Sequence, residues 1–221
     1  MSELFYFDAN FGKIILGTDE AGRGPAAGGV FAACVCFLEK SDTLIEELAQ
    51  INDSKKLSKK RREALYDTIK NNTINSIVNV EVAEIEKINI LNASLKAMKL
   101  ACEDVFSQLC QAKNIKKEEI LTLVDGNKLI KNYELPQQFV IKGDSKSASI
   151  AGASILAKVS RDWYMEKLDV EFPQYKWPKN AGYLTAEHIE AIDKFGLCKY
   201  HRPSFLKKHF ESQKAEQLSL L

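Results

Sequence analysis

The chain has 221 residues, 45% hydrophobic and 28% charged, with only 11 Gly and 5 Pro; this fits one globular domain with a sizeable core and argues against a disordered chain. The net charge of +1 gives no bulk support to polyanion binding. Charge is nevertheless segregated: 51–62 (INDSKKLSKKRR) holds six basic residues against one acid, and 194–210 holds five Lys/Arg and no acid, a distribution that suits either a polyanion surface or solvated helix faces.

Cys34, Cys36, Cys102, Cys110 and Cys198 are odd in number and lack CxxC spacing, which argues against a disulfide framework or a zinc site. Reduced thiols fit a cytoplasmic protein. The N-terminal MSELFYFDANFGK lacks the basic-then-apolar order of a signal peptide, and no apolar run approaches the roughly 18 residues of a membrane helix.

In chain order, 13–18 (KIILGT) predicts a buried strand ending at Asp19, followed by a Gly-rich turn over 22–29 and a second strand over 30–38 (VFAACVCFL). So short a connection predicts an antiparallel pair. Residues 58–70 predict a polar helix with Ser58 as N-cap, and 76–82 (SIVNVEV) a third strand. Leu91, Leu95, Met98, Cys102, Val105, Phe106 and Leu109 share one face of an amphipathic helix. A strand over 119–124 runs into Asp125, a short one over 139–141 precedes Asp144, and 147–168 predicts a long helix whose small residues let it approach a sheet closely. Beyond it, Pro173, Pro178, Gly182, Gly196 and Pro203 break the chain into short helices, and the tail after Phe210 reads as a frayed end. Strands first and helix–strand alternation afterwards predict an α/β fold with a mixed sheet, antiparallel at one side and parallel at the other.

Three apolar strands thus end in an acid, at Asp19, Asp125 and Asp144, with Glu20 beside the first. In sheets with parallel strands, sites gather beyond the strands' carboxyl ends. Clustered carboxylates repel one another unless a cation neutralises them. Mg²⁺ takes oxygen ligands and binds through a few carboxylates plus substrate phosphate. Two such ions about 3.5–4 Å apart can clamp an in-line phosphoryl displacement without any Ser, Cys or His nucleophile. Singly, each acid is better served by a structural reading: Asp125-Gly126 as a turn, Asp144 as the cap of a helix beginning near Ser145, and Asp19-Glu20 as the lead into a turn. Spacing alone therefore leaves a candidate metal site.

The segment Gly17-Thr18-Asp19-Glu20-Ala21-Gly22-Arg23-Gly24-Pro25 resembles the signature of bacterial ribonuclease HII. Further blocks follow in the family's order: Asn52-Asp53-Ser54-Lys55-Lys56-Leu57, Val124-Asp125-Gly126-Asn127, Lys142-Gly143-Asp144-Ser145-Lys146, the run 149–162 (SIAGASILAKVSRD), Gly182-Tyr183-Leu184-Thr185 and His201-Arg202-Pro203-Ser204-Phe205. The resemblance covers about residues 14–206. Its intact Gly22-Arg23-Gly24 and short N-terminal lead favour this type over ribonuclease HIII; Gly29 and Gly152 stand where the family has Pro and Ala.

The resemblance implies a ribonuclease H-like fold, with a catalytic domain over 1–168 and a helical extension over 169–221 packed on it. It implies metal-binding catalytic acids Asp19, Glu20, Asp125 and Asp144, served by Mg²⁺ or Mn²⁺. The expected substrates are RNA–DNA hybrids and single ribonucleotides in duplex DNA, cut on the 5′ side to leave 3′-hydroxyl and 5′-phosphate ends. Gly22, Arg23 and Gly24 correspond to the sensor of the 2′-hydroxyl, since glycines let backbone groups approach a sugar. Tyr183 corresponds to the ring that stacks beside the ribonucleotide. Ser54, Lys55 and Lys146 are expected at phosphates; Lys158 and Arg161 are equally served by an ion pair with Asp162. His188, His201 and His209 read as surface or phosphate-contacting groups. A monomer without membrane attachment is expected. Another two-metal nuclease of the same fold, or a non-catalytic duplex-binding module, are the competing readings; the first has no reason to combine the glycine block with Tyr183, and the second has no need of four acids.

Overall fold

The structure, a computed structural model, describes residues 3–39, 41–48, 51, 58–113 and 115–219, with Thr43 and 212–219 described by backbone only. The expected sites Ser54 and Lys55 lie outside the described residues. Five strands form one sheet in the order β3-β2-β1-β4-β5: β1 (Ile14–Ala21), β2 (Val30–Cys36), β3 (Ile74–Val80), β4 (Ile120–Asp125) and β5 (Gln137–Val140). The β1–β2 and β2–β3 pairs are antiparallel, and the β1–β4 and β4–β5 pairs are parallel, as the order of strands and helices predicts.

Both faces of the sheet are covered, so β2 is apolar at every position. Its Val30, Ala32, Cys34 and Cys36 face α5 (Ile90–Lys113), whose Met98, Ala101, Cys102 and Val105 complete that core. Its Ala33 and Val35 face α6 (Ala148–Glu171), against Ala151, Ile155 and Leu156. A two-faced burial pattern erases the alternation a one-faced strand would show. The five thiols are free, and Cys34, Cys36 and Cys102 are buried as small core groups.

Helix α6 lies against β1 at backbone distance. A Cβ on Gly17 would come within 2.2 Å of the Ser149 carbonyl carbon and 2.3 Å of the Ile150 nitrogen. The start of α6 is fixed twice. Ser147 caps it by accepting from the Ile150 amide at 3.2 Å. Asp8, on α1 (Glu3–Ala9), accepts from the Ser149 amide and hydroxyl at 2.9 and 2.7 Å.

Some boundaries move. β1 continues through Asp19 and Glu20 instead of stopping before them. β3 is shifted toward the N-terminus, because 82–88 forms the short helix α4 (Val82–Ile88) that buries Val82 and Ile85. Asp144 does not cap a helix: it lies in a 3-10 turn, Gly143–Ser145, and the helix begins three residues later. Ser58 does cap α3 (Lys59–Asn72), accepting from the Arg61 amide at 3.3 Å. Two helices left no clear pattern in the sequence, α1 and α2 (Asp42–Glu47).

After α6 come a 3-10 turn and α7 (Trp177–Asn180), α8 (Ala186–Phe195) and α9 (Pro203–Ser219). The backbone of α9 stays helical to Ser219, beyond the point where fraying was expected. These elements share a core with the end of α6 and with Ala26 and Ala27 of the glycine-rich loop. The 168/169 division falls inside α6. Among the described residues no helix is long and apolar enough to cross a membrane.

Candidate active site

Because β1 and β4 run parallel, with Thr18 beside Val124, Asp19 and Asp125 follow at the same level of the sheet. Asp125 pairs in register with Val140, so the chain beyond β5 returns to it, and the Gly143 amide donates to Asp125 Oδ1 at 2.6 Å. The Glu20 amide donates to Asp19 Oδ1 at 2.7 Å, and Arg23 Nη1 donates to Glu20 Oε1 at 3.2 Å.

The site is electrostatically uncomfortable. Burial pushes the Asp19 carboxyl well above the usual carboxylate range, and Glu20 and Asp125 push it further; the Ser154 side chain and the Glu20 amide offset only part. Burial raises Glu20 as well, with Arg23 opposing and Asp125 adding to the rise. Asp125 is raised by burial and by Asp144, against the lowering effect of the Gly143 amide. Each carboxylate thus raises the proton affinity of the next, the condition that a cation relieves.

Asp19, Glu20 and Asp125 open into a cleft of about 460 Å³. Gly22, Arg23, Gly24 and Tyr183 line the same cleft. Gly24 and Tyr183 are neighbours: a Cβ on Gly24 would meet Tyr183 Cε1 at 3.1 Å. Gly22 has φ +100, a conformation L side chains rarely adopt, and a Cβ there would strike the Arg161 side chain at 2.2 Å. Asp144 is half-buried and does not line the cleft, though its charge acts on Asp125; Lys146 is exposed at the end of the 3-10 turn, also off the lining.

Two buried arginines build this loop. Arg161 donates to Gly29 O at 3.2 Å, Ala27 O at 2.9 Å and Ala181 O at 3.0 Å. Arg202 donates to Gly28 O, Gly29 O, Pro25 O and Arg23 O at 2.6–3.4 Å. Neither forms an ion pair among the described residues. Of the two ion pairs with Asp162 that were expected, Lys158 forms its own at 2.5 Å, and Arg161 does not, because it points inward to the carbonyls. Lys158 still lines the cleft, as do Ser154 and Arg62, for which the sequence offered only membership in a block and a basic run. The histidine expectation is overturned for two of three. His188 and His201 are buried, and His209 pairs with Asp193 at 2.8 Å.

Among the described residues no three His, Cys, Asp or Glu side chains are grouped tightly enough to enclose an ion. The donor set still fits Mg²⁺ or Mn²⁺: all oxygen, anionic, converging from adjacent strands, with an open cleft for water and phosphate, which is how Mg²⁺ is held in preference to an all-protein cage.

Residues 16–213 match the family model described as Ribonuclease HII. The chain belongs to the ribonuclease HII family. A ribonuclease HII from Fusobacterium nucleatum is 47% identical over 212 residues, spanning 95% of this chain and 93% of the relative. Among solved structures, the ribonuclease H2 from Pyrococcus horikoshii OT3 superposes with a TM-score of 0.65 at 24% identity, over 88% of this chain and 95% of that one. The Bst-RNase HIII in complex with Mn²⁺ gives a TM-score of 0.65 at 15% identity, over 84% of this chain and 63% of that one. Ribonuclease HII membership makes the chain a ribonuclease H, a hydrolase acting as an endonuclease on RNA–DNA hybrids. The two structural likenesses carry the ribonuclease H-like α/β fold.

Proposed function

We propose that this chain also nicks duplex DNA on the 5′ side of a single embedded ribonucleotide, by two-metal-ion hydrolysis that leaves 3′-hydroxyl and 5′-phosphate ends. The observation that carries the reading is a single cleft lined by three acids and by the Gly22–Gly24 loop beside Tyr183.

Asp19, Glu20, Asp125 and Asp144 are the catalytic acids and would hold Mg²⁺ or Mn²⁺. When bound, the ions would neutralise the acids, activate water and stabilise the leaving oxygen. The protein's own part is orientation. The Glu20 amide fixes Asp19, Arg23 tethers Glu20, and the Gly143 amide fixes Asp125. The backbone of Gly22, Arg23 and Gly24 meets the 2′-hydroxyl, and Tyr183 meets the neighbouring sugar, a spacing that their proximity supports. Ser54, Lys55 and Lys146 act at phosphates, which position the duplex without reading sequence. The enzyme works as a monomer, with 1–168 as catalytic domain and 169–221 as the extension that braces it.

The test is cleavage of a labelled duplex bearing one ribonucleotide, with Mg²⁺ or Mn²⁺, beside an all-DNA duplex and with Asp19→Asn in parallel. A nick 5′ of the ribonucleotide, absent from all-DNA and from the variant, is the expected result. Absence of any nick with either metal refutes the single-ribonucleotide activity.

A further inference from the structure

His188 and His201 form a buried pair with no role in the chemistry proposed above. His188 Nε2 lies 3.1 Å from His201 Nε2. The outer nitrogens decide where the protons sit. His201 Nδ1 accepts from the Cys198 amide at 3.0 Å, so its proton is on Nε2. His188 Nδ1 faces the Tyr183 carbonyl oxygen at 2.9 Å, which only accepts, so its proton is on Nδ1. The inner bond therefore runs from His201 Nε2–H to His188 Nε2, and Trp177 Nε1 donates to the same acceptor at 3.4 Å. All four ring nitrogens are used, in one direction, from Cys198 through both rings to Tyr183.

One end of this relay holds Tyr183, which lines the cleft, and the other is joined to residues 26–28, which continue the Gly22–Gly24 loop. Its His188 end holds the backbone of Tyr183. Its His201 end belongs to the segment that pairs with the glycine-rich loop: His201 bridges Ala27, the Gly28 amide donates to Tyr200 O at 2.8 Å, and the Arg202 amide donates to Ala26 O at 2.8 Å. Burial lowers both histidines, His201 to about 4, with His188 adding to the effect there. The surrounding titratable groups, Tyr175 and Cys198, are raised by burial and neutral as well.

The geometry points to His188 and His201 as a positioning pair that fixes Tyr183 in register with the Gly22–Gly24 loop, and so sets the preference for a ribonucleotide–deoxyribonucleotide junction over continuous hybrid. This rests on the reading of Tyr183 as the residue that meets the sugar next to the ribonucleotide. Neither histidine touches substrate; they act through the Tyr183 main chain.

The test pairs two measurements on the full chain. Long-range ¹H–¹⁵N NMR of the imidazoles should report Nδ1–H for His188 and Nε2–H for His201, unchanged from pH 7.5 to 5.5; the opposite tautomers, or titration in that interval, overturn the locked pair. Single-turnover cleavage then compares a single-ribonucleotide duplex with a continuous hybrid for His188→Leu and His188→Asn. His188→Leu should lower the ratio of the two rates on the order of tenfold, the scale of a small misplacement of a positioning group. His188→Asn, which keeps a donor for the Tyr183 carbonyl, should recover most of that ratio. Parallel loss on both substrates would mean that the pair only stabilises the fold and overturns the inference. A wild type that cleaves hybrid but never the single ribonucleotide refutes instead the assignment of Tyr183, and the NMR result separates that failure from failure of the pair.

Discussion

Two glycines at the α6–sheet interface respond oppositely to alanine. At Gly17 the added Cβ would sit 2.2 and 2.3 Å from main-chain atoms of Ser149 and Ile150. Carbon contacts are comfortable near 3.5 Å, so β1 and α6 must separate by roughly 1 Å. Neither partner is a side chain that can swing away, and the first turns of α6 are buried along Ala148, Ile150, Ala151 and Ile155. Overpacking typically costs 1–3 kcal/mol, and this backbone clash belongs at or above the upper end, about 3 kcal/mol. At Gly152 the nearest atom is a methyl group of Val35 at 3.3 Å, which needs only a few tenths of an ångström. There the replacement of a mid-helix glycine gains about 1 kcal/mol, and Gly152→Ala should be stabilising by about 0.5–1 kcal/mol net. Urea unfolding followed by circular dichroism reads both; with a slope of about 2 kcal/mol per molar, Gly17→Ala lowers the midpoint by roughly 1.5 M. Asp19 lies two residues downstream on the same strand, so a shift of this size should also reduce cleavage on the order of 100-fold. A Gly17→Ala protein within 1 kcal/mol of wild type, or a Gly152→Ala loss of similar size, would refute the contact geometry argued here.

Asp19→Asn should raise stability in chelator on the order of 1 kcal/mol while abolishing cleavage, because it removes a buried charge repelled by Glu20 and Asp125. The same substitution should also shrink the rise in melting temperature that Mg²⁺ or Mn²⁺ gives the wild type. For His188 and His201 the folded state resists protonation while the unfolded state takes it near pH 6.5, so stability is full above that pH and falls as pH drops toward 4. The lowering of His201 to about 4, which burial causes and His188 adds to, corresponds to about 3 kcal/mol for the coupled pair across that interval, and urea midpoints from pH 7.5 to 5 should show a shallower slope in His201→Asn. Arg202→Met should cost about 3 kcal/mol or more by stripping donors from buried carbonyls, and Arg202→Lys should recover only part, since one ammonium cannot reproduce the fork.

The sheet and its polarity were legible because each strand is a short apolar run bounded by a turn, and because connection length distinguishes hairpin from crossover. So was the convergence of Asp19 and Asp125, which needs only that β1 and β4 be neighbours. Asp144 was harder to place, because a 3-10 turn intervenes before the Ser147 cap and displaces it from the helix start. His188, His201 and Arg161 were misread for one reason, and Arg202 was passed over for the same one. Polar residues in a polar segment look like surface, and nothing local reveals that Arg161, His188, His201 and Arg202 are buried, with partners up to 179 residues away. Burial of such groups is decided by distant carbonyls that satisfy them, and spacing carries no trace of that.

The Arg202 clamp also gives the enzyme a clock. The carbonyls of Arg23, Pro25, Gly28 and Gly29 emerge early in synthesis, while the guanidinium that satisfies them follows about 175 residues later. At 5–20 residues per second that interval is roughly ten to thirty-five seconds. Throughout it the nascent chain already carries Asp19 and Glu20 but lacks the finished loop. The carbonyls of this loop therefore gain their guanidinium partner only once residue 202 has been made.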